Sequence, residues 1–101
     1  MPKYKKILAV EAARHILHLV QVNLKRAGYK VVTACDGNEA LEKADSEKPD
    51  LIVLGDTPAP LDSSEVLKRL RANEATKGVR VIMLTGKGDD LDFLRDGGSD
   101  R

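Results

Sequence analysis

The chain is poor in the residues that several kinds of site require. Its 101 residues include one cysteine, Cys35, so no internal disulfide can form and a reducing, cytoplasmic setting is expected. Aromatic residues make up 3%, too few for a platform on which nucleic-acid bases stack. Neither sign of charge is in excess: 17 basic and 16 acidic residues leave a formal net charge of +1. Electrostatic capture of nucleic acid or of an anionic membrane is therefore not expected. No apolar run approaches membrane-spanning length, and the opening MPKYKK is not followed by an apolar signal core. A protein that stays in solution where it is made is expected. Low-complexity tracts and linker-like stretches are missing too, which leaves one domain over residues 1–101.

What remains is ordinary for one small globular domain, with 42% apolar and 33% charged residues and enough chain for one modest core. Two periods alternate along it. KKILAV (residues 5–10) reads as a buried strand. From Ala12 onward, Ile16, Leu19, Val20 and Leu24 recur at spacings of three and four, one face of a helix, which Gly28 is placed to end. KVVTA (Lys30–Ala34) is a second strand rich in β-branched residues. Asp36, Gly37 and Asn38 form a turn and helix start, and residues 39–47 a short helix with Ala40, Leu41 and Ala44 inward, stopped by Pro49. Leu51–Leu54 is a third strand. Asp62 and Glu65 have capping-box spacing and open a third helix with Val66, Leu67 and Leu70 inward. Residues 81–84 form a fourth strand, and residues 89–95 suit one or two further helical turns.

Strand and helix alternate, and the first, third and fourth strands are continuously apolar. That pattern predicts a parallel sheet covered on both faces, with right-handed crossovers. Ligands of such sheets bind outside the carboxyl ends of the strands. Glu11, Ala12, Ala13 and Arg14 follow the first strand there, Gly55, Asp56 and Thr57 the third, and Thr85, Gly86 and Lys87 the fourth. The third strand, LIVL, thus runs into the one residue type with no side chain, at an edge where chemistry needs one.

Six stretches carry a family likeness: KKILAV, LKRAGYKVVTA, DGNEALEKA, KPDLIVL, EVLKRLRAN and VRVIMLTGKG. The chain resembles a response-regulator receiver domain of two-component signalling, from Lys5 to Asp92. The resemblance implies an α/β fold, a flavodoxin-like doubly wound parallel sheet with strand order 2-1-3-4, here without the family's fifth strand and fifth helix. It also implies where the family's chemistry stands. The phospho-acceptor aspartate falls at Gly55. The acid pair that binds magnesium falls at Glu11 and Ala12, and a third frequent acid at Ala13. The Thr or Ser that senses the phosphoryl group is retained as Thr85. The family lysine follows a fifth strand, before which this chain ends. Ser63 stands where the family commonly has glycine. A glycine offers no nucleophile, and one Glu beside Ala12 and Gly55 does not supply the carboxylate-anchored oxygen shell that magnesium takes.

Other readings of single residues stand beside this one. Asp56 is either a displaced acceptor or a loop aspartate; a one-residue step along a strand turns a side chain to the other face. Glu11, His15 and His18, spaced four and three apart, either hold a transition metal or are a strand end and two solvated histidines. Thr85-Gly86-Lys87-Gly88 hints at a phosphate loop, but Val81 and Gly88 stand where that motif needs Gly and Ser or Thr. Arg14, Asp56, Thr57, Thr85 and Lys87 outline a pocket for a small anion. Lys68, Arg69 and Arg71 suit the wet face of an amphipathic helix. Cys35 reads as an idle thiol rather than a reactive one.

Without a fifth strand, the fourth becomes an edge and one sheet face loses part of its cover. Val81, Ile82, Met83 and Leu84 would then present apolar surface. Either Phe93 and Leu94 fold back over it, or a partner does, a second copy or another protein. The expected function is a non-enzymatic pseudo-receiver that acts by protein–protein binding and uses no cofactor. The alternatives are a ligand-sensing module at the altered pocket and a response regulator that takes phosphate on Asp56.

Overall fold

The computed structural model describes residues 4–84. Its elements, in chain order, are β1 (Lys6–Val10), α1 (Arg14–Arg26), β2 (Lys30–Ala34), α2 (Gly37–Glu47), β3 (Leu51–Leu54), α3 (Ser63–Ala72) and β4 (Arg80–Met83). All strand pairs are parallel, and the sheet order is β2-β1-β3-β4, as the strand–helix alternation predicts. The further turns expected over residues 89–95 lie outside the described residues.

The continuous apolar runs of β1 and β3 follow from their place at the centre of the sheet. Side chains alternate between the two faces. Ile7, Ala9, Leu51 and Val53 therefore meet Leu17, Val20 and Leu24 of α1 on one side. Leu8, Val10, Ile52 and Leu54 meet Ala40 and Ala44 of α2 and Val66 and Leu70 of α3 on the other. The small alanines of α2 bring that helix close to the sheet. One expectation needs correction: Leu19 is 55% exposed, and the buried stripe of α1 is Leu17, Val20 and Leu24. At about 100° per residue, Leu19 falls beyond the edge of that stripe, and Leu17 takes its place.

The caps explain the boundaries. Gly28 has φ 101°, Tyr29 N–H donates to the Leu24 carbonyl at 3.1 Å, and Gly28 N–H to the Lys25 carbonyl at 3.0 Å. This is a Schellman ending, with Tyr29 and Leu24 in the same core. Asp36 caps α2 by accepting from Glu39 N–H at 2.8 Å, and Asp62 caps α3 by accepting from Glu65 N–H at 2.9 Å. Past α2, the Asp50 carboxylate accepts from the N–H groups of Lys5 and Lys6 at 3.0 and 2.8 Å, which fixes the entry to β1.

Helix α1 lacks this aid. Its N-cap is Ala13, in extended geometry and with no side-chain hydrogen bond to the first turn. A hydroxyl there can accept from a first-turn N–H without changing the backbone. Ala13→Ser is therefore expected to stabilise the fold by about 0.5–1 kcal/mol, read as a rise in the urea midpoint at unchanged slope. A midpoint at or below that of the parent would show that the helix start is satisfied another way.

Candidate functional site

The carboxyl edge is assembled by the sheet register. Val10 pairs with Leu54, so residues 11 and 55 follow side by side. Gly55 N–H donates to the Val10 carbonyl at 2.7 Å, Ala12 N–H to the Asp56 carbonyl at 2.9 Å, and Glu11 N–H to the Ala34 carbonyl at 3.1 Å. The three strand ends are thus tied together by backbone before any side chain is considered.

The Glu11 side chain then crosses to β3. Its Oε2 accepts from Ala13 N–H at 2.9 Å and its Oε1 from Asp56 N–H at 3.2 Å. The residue is 8% exposed. Gly55 is buried as well. A Cβ placed on Gly55 would collide with Glu11 Oε1 and lie 2.9 Å from the Val10 carbonyl oxygen. The volume that a side chain at position 55 would take is filled by the carboxylate of Glu11.

The other edge residues are dispersed. Asp56 is exposed, and only its backbone joins the cluster. Thr57 is buried and donates its hydroxyl to the Leu61 carbonyl at 2.7 Å, within its own loop. Ala12 and Arg14 are exposed. The Arg14 guanidinium lies 3.8 Å from Cys35 Sγ, over the end of β2. Thr85, Lys87, Phe93 and Leu94 lie outside the described residues. On β4, the outer strand of the described sheet, Val81 and Ile82 are half-buried, each against a different core cluster, and Met83 is 39% exposed; Leu84, just past the strand, is half-buried too.

The suggested Glu11, His15 and His18 metal group does not form. Glu11 faces backbone N–H groups and both histidines are exposed. Among the described residues, Cys35, Asp36 and Glu39 are the ones that gather potential ligand atoms within 4.8 Å. Their hydrogen bonds are local. Asp36 caps α2, and Glu39 Oε1 accepts from both the backbone N–H and the thiol of Cys35, at 3.0 and 3.4 Å. Donating to Glu39 holds the Cys35 thiol above its ordinary pKa, and the Cys35 N–H holds the Glu39 carboxyl below its own. A thiol kept protonated in this way is a poor nucleophile. In α3, Arg69 pairs with Glu65 at 3.1 Å. Arg71 grips the carbonyls of Lys77 and Val79 at 2.8 and 2.6 Å, which fixes the turn into β4.

Sequence reasoning did not find the crossing of Glu11. The signal available was an acid at the end of one central strand opposite a glycine at the end of the next. Among the described residues, the family's metal and acceptor positions offer a magnesium ion that one carboxylate, with both oxygens already accepting N–H groups, an alanine and a glycine; the neighbouring Asp56 side chain is exposed. The Asp56 carbonyl is engaged by Ala12 N–H. This donor set does not fit an ion that takes an octahedral shell of oxygens anchored by carboxylates.

The family model of the response regulator receiver domain matches residues 7–96. The alkaline phosphatase synthesis transcriptional regulatory protein PhoP of Bacillus subtilis (strain 168) is 49% identical over 88 residues, 87% of this chain and 36% of that protein. The chain thus spans little more than a third of the length of the curated relatives it matches. Among solved structures, the N-terminal domain of a response regulator receiver protein from Methanoculleus marisnigri JR1 superposes with a TM-score of 0.78 at 32% identity, over 92% of this chain and 78% of that one. The receiver domain of the sensor histidine kinase PA1611 from Pseudomonas aeruginosa PAO1, solved with a magnesium ion coordinated in its active-site cleft, gives 0.76 at 26% identity, over 95% and 80%.

Proposed function

The chain belongs to the response regulator receiver domain family, a two-component signalling module, and on that premise we propose that it is a pseudo-receiver. It signals by binding protein and takes no phosphoryl group by the family route. The observation that carries this reading is the pair Gly55 and Glu11. The acceptor position has no side chain, and the space beside it holds a carboxylate that is already hydrogen-bonded. A phosphoryl group arriving there would meet a fixed negative charge and no magnesium to offset it.

Receiver domains work through partner proteins. For this chain the proposed docking edge is β4 with Val81, Ile82, Met83 and Leu84; Phe93 and Leu94, outside the described residues, are proposed as interface residues with it. The proposed occupant is a second copy or another protein. The proposed setting is the cytoplasm, in keeping with the single, locally bonded thiol; among the described residues no helix is long and apolar enough to cross a membrane. A small-anion site at Arg14, Asp56, Thr57, Thr85 and Lys87 is less well supported, because Glu11 already places an anion at the strand ends and Thr57 spends its hydroxyl on Leu61.

The test is light scattering across a dilution series, combined with intact mass after incubation with magnesium and acetyl phosphate. The expected result is self-association at micromolar concentration or tighter, and an unchanged mass. A monomer that gains a phosphoryl group would overturn the proposal and assign the exposed Asp56 as acceptor. An unchanged monomer would retain the pseudo-receiver and make the occupant of β4 a different protein.

A further inference from the structure

A carboxylate at the end of a strand is ordinarily solvated, and Glu11 is not. At 8% exposure it is a buried acid. Burying such a group without hydrogen bonds is costly, so where it has gone says what it does. Its two oxygens accept from two N–H groups that belong to different loops. Ala13 N–H comes from the turn between β1 and α1, and Asp56 N–H from the turn after β3. The bond from Ala13, at 2.9 Å, has the length of a charge-assisted one, and the bond from Asp56, at 3.2 Å, is longer. Among the described residues Glu11 has no cationic partner, since the neighbouring Arg14 reaches to Cys35 instead. Among the described residues, therefore, the carboxylate is held by backbone N–H groups.

Shape adds a second, independent fact. Glu11 Oε1 stands too close to the place of a Cβ on Gly55 for both to keep their positions. Glycine at 55 suits glutamate at 11: a side chain at 55 would crowd the carboxylate, and a shorter side chain at 11 would leave two part-buried N–H donors without it.

We propose that Glu11 is an internal plug. Its carboxylate fills the cleft beside Gly55 and clamps the β1–α1 and β3–α3 turns together through Ala13 and Asp56 N–H. Glu11 is thus a positioning residue of the edge that does not touch any reacting group. This inference does not rest on the pseudo-receiver reading. Phosphorylation at Asp56 would overturn that reading and leave the plug standing.

The plug makes a sharp prediction about small carboxylates. Glu11→Ala removes the anion and keeps its donors, so the variant gains a site that takes formate, the carboxylate head without its stem. The experiment compares thermal unfolding of the parent chain and Glu11→Ala in sodium formate and in sodium chloride of equal ionic strength, with amide chemical shifts of Ala13 and Asp56. Glu11→Ala is expected to melt about 5–15 °C below the parent. Formate beyond the chloride control should restore part of that loss and move the Ala13 and Asp56 amide resonances; the parent should show neither effect. The proposal is overturned if the parent responds to formate as the variant does, if the variant melts with the parent, or if formate and chloride act alike. Should Glu11→Ala not fold, amide exchange in the parent decides. Protected Ala13 and Asp56 protons support the plug, and protons that exchange at the rate of exposed turns overturn it.

Discussion

Gly55→Asp, the single change that gives β3 an acidic end, is expected to destabilise the fold by about 1–3 kcal/mol and to leave the protein without phosphoryl uptake. Two contacts set the cost. The new Cβ would lie 2.9 Å from the Val10 carbonyl oxygen, which belongs to the backbone of the central strand and is already bonded by Gly55 N–H at 2.7 Å. That overlap is relieved only by moving β3 against β1. The second contact is with Glu11 Oε1, the far end of a flexible side chain, which can swing out. Doing so gives up both its bonds, to Ala13 and to Asp56. If it stays, two carboxyl groups share one cleft, and one of them must be held protonated above the ordinary carboxylate range. The sign follows directly. A carboxyl whose folded-state pKa is raised costs stability above its unfolded pKa, and the cost fades as pH falls toward about 4. If Glu11 stays, the penalty of Gly55→Asp should therefore be largest at neutral pH and smaller in acid; a penalty that does not change with pH would show that Glu11 has swung out. Urea unfolding of the two single variants and of Gly55→Asp with Glu11→Ala measures the coupling. The double variant should be more stable than the summed single losses by about 1–2 kcal/mol. Additive losses would show that positions 11 and 55 do not contend for one space.

The scaffold was legible because it rests on local rules. The apolar runs IL-A-V and LIVL place β1 and β3 at the centre of a sheet, where every residue of β3 is buried. Gly28 predicts the end of α1 through a backbone conformation that other residues avoid, and its φ of 101° shows that need. Leu19 failed for a reason of phase. Leu17 and Leu19 lie on opposite flanks of the Val20 and Leu24 row, so spacings of three and four admit either, and the side that packs on the sheet decides for Leu17. The site was legible as a set of positions and not as a set of contacts. Residues 11 and 55 are far apart in sequence, and their pairing is a product of the sheet register. Which way a glutamate side chain turns from a strand end depends on a neighbour's missing atoms, and a pattern of residue types does not record a void. The bonding of Thr57 to Leu61 is similar, a loop deciding its own shape.

A second glycine carries an expected effect of similar size, on the loop after β3. Gly37→Ala is expected to lower stability by about 2–3 kcal/mol, although alanine favours helix over glycine by up to about 1 kcal/mol. Gly37 opens α2 and is buried. A Cβ there would lie 2.5 Å from Leu61 Cβ, 2.6 Å from the Leu61 carbonyl oxygen and 3.1 Å from Val66 Cγ2. None of these atoms ends a long flexible chain: two belong to Leu61 at or next to its backbone, and the third is a methyl of buried, β-branched Val66. The Leu61 carbonyl also accepts the Thr57 hydroxyl at 2.7 Å, so moving it disturbs the turn after β3 that holds Asp56. Sterics should win over propensity because the first helical position gains little from alanine, whereas the overlap is with main chain. The adjacent Asn38 is exposed and provides the control. Asn38→Ala changes the same turn of helix without touching the loop, and should cost less than about 0.5 kcal/mol. Thermal unfolding of both variants, with amide shifts over residues 56–62, separates the two effects. A Gly37→Ala protein as stable as Asn38→Ala, with unmoved loop amides, would mean that α2 can lift from the loop at no cost. The close seat of α2 would then not be what holds the carboxyl edge in place.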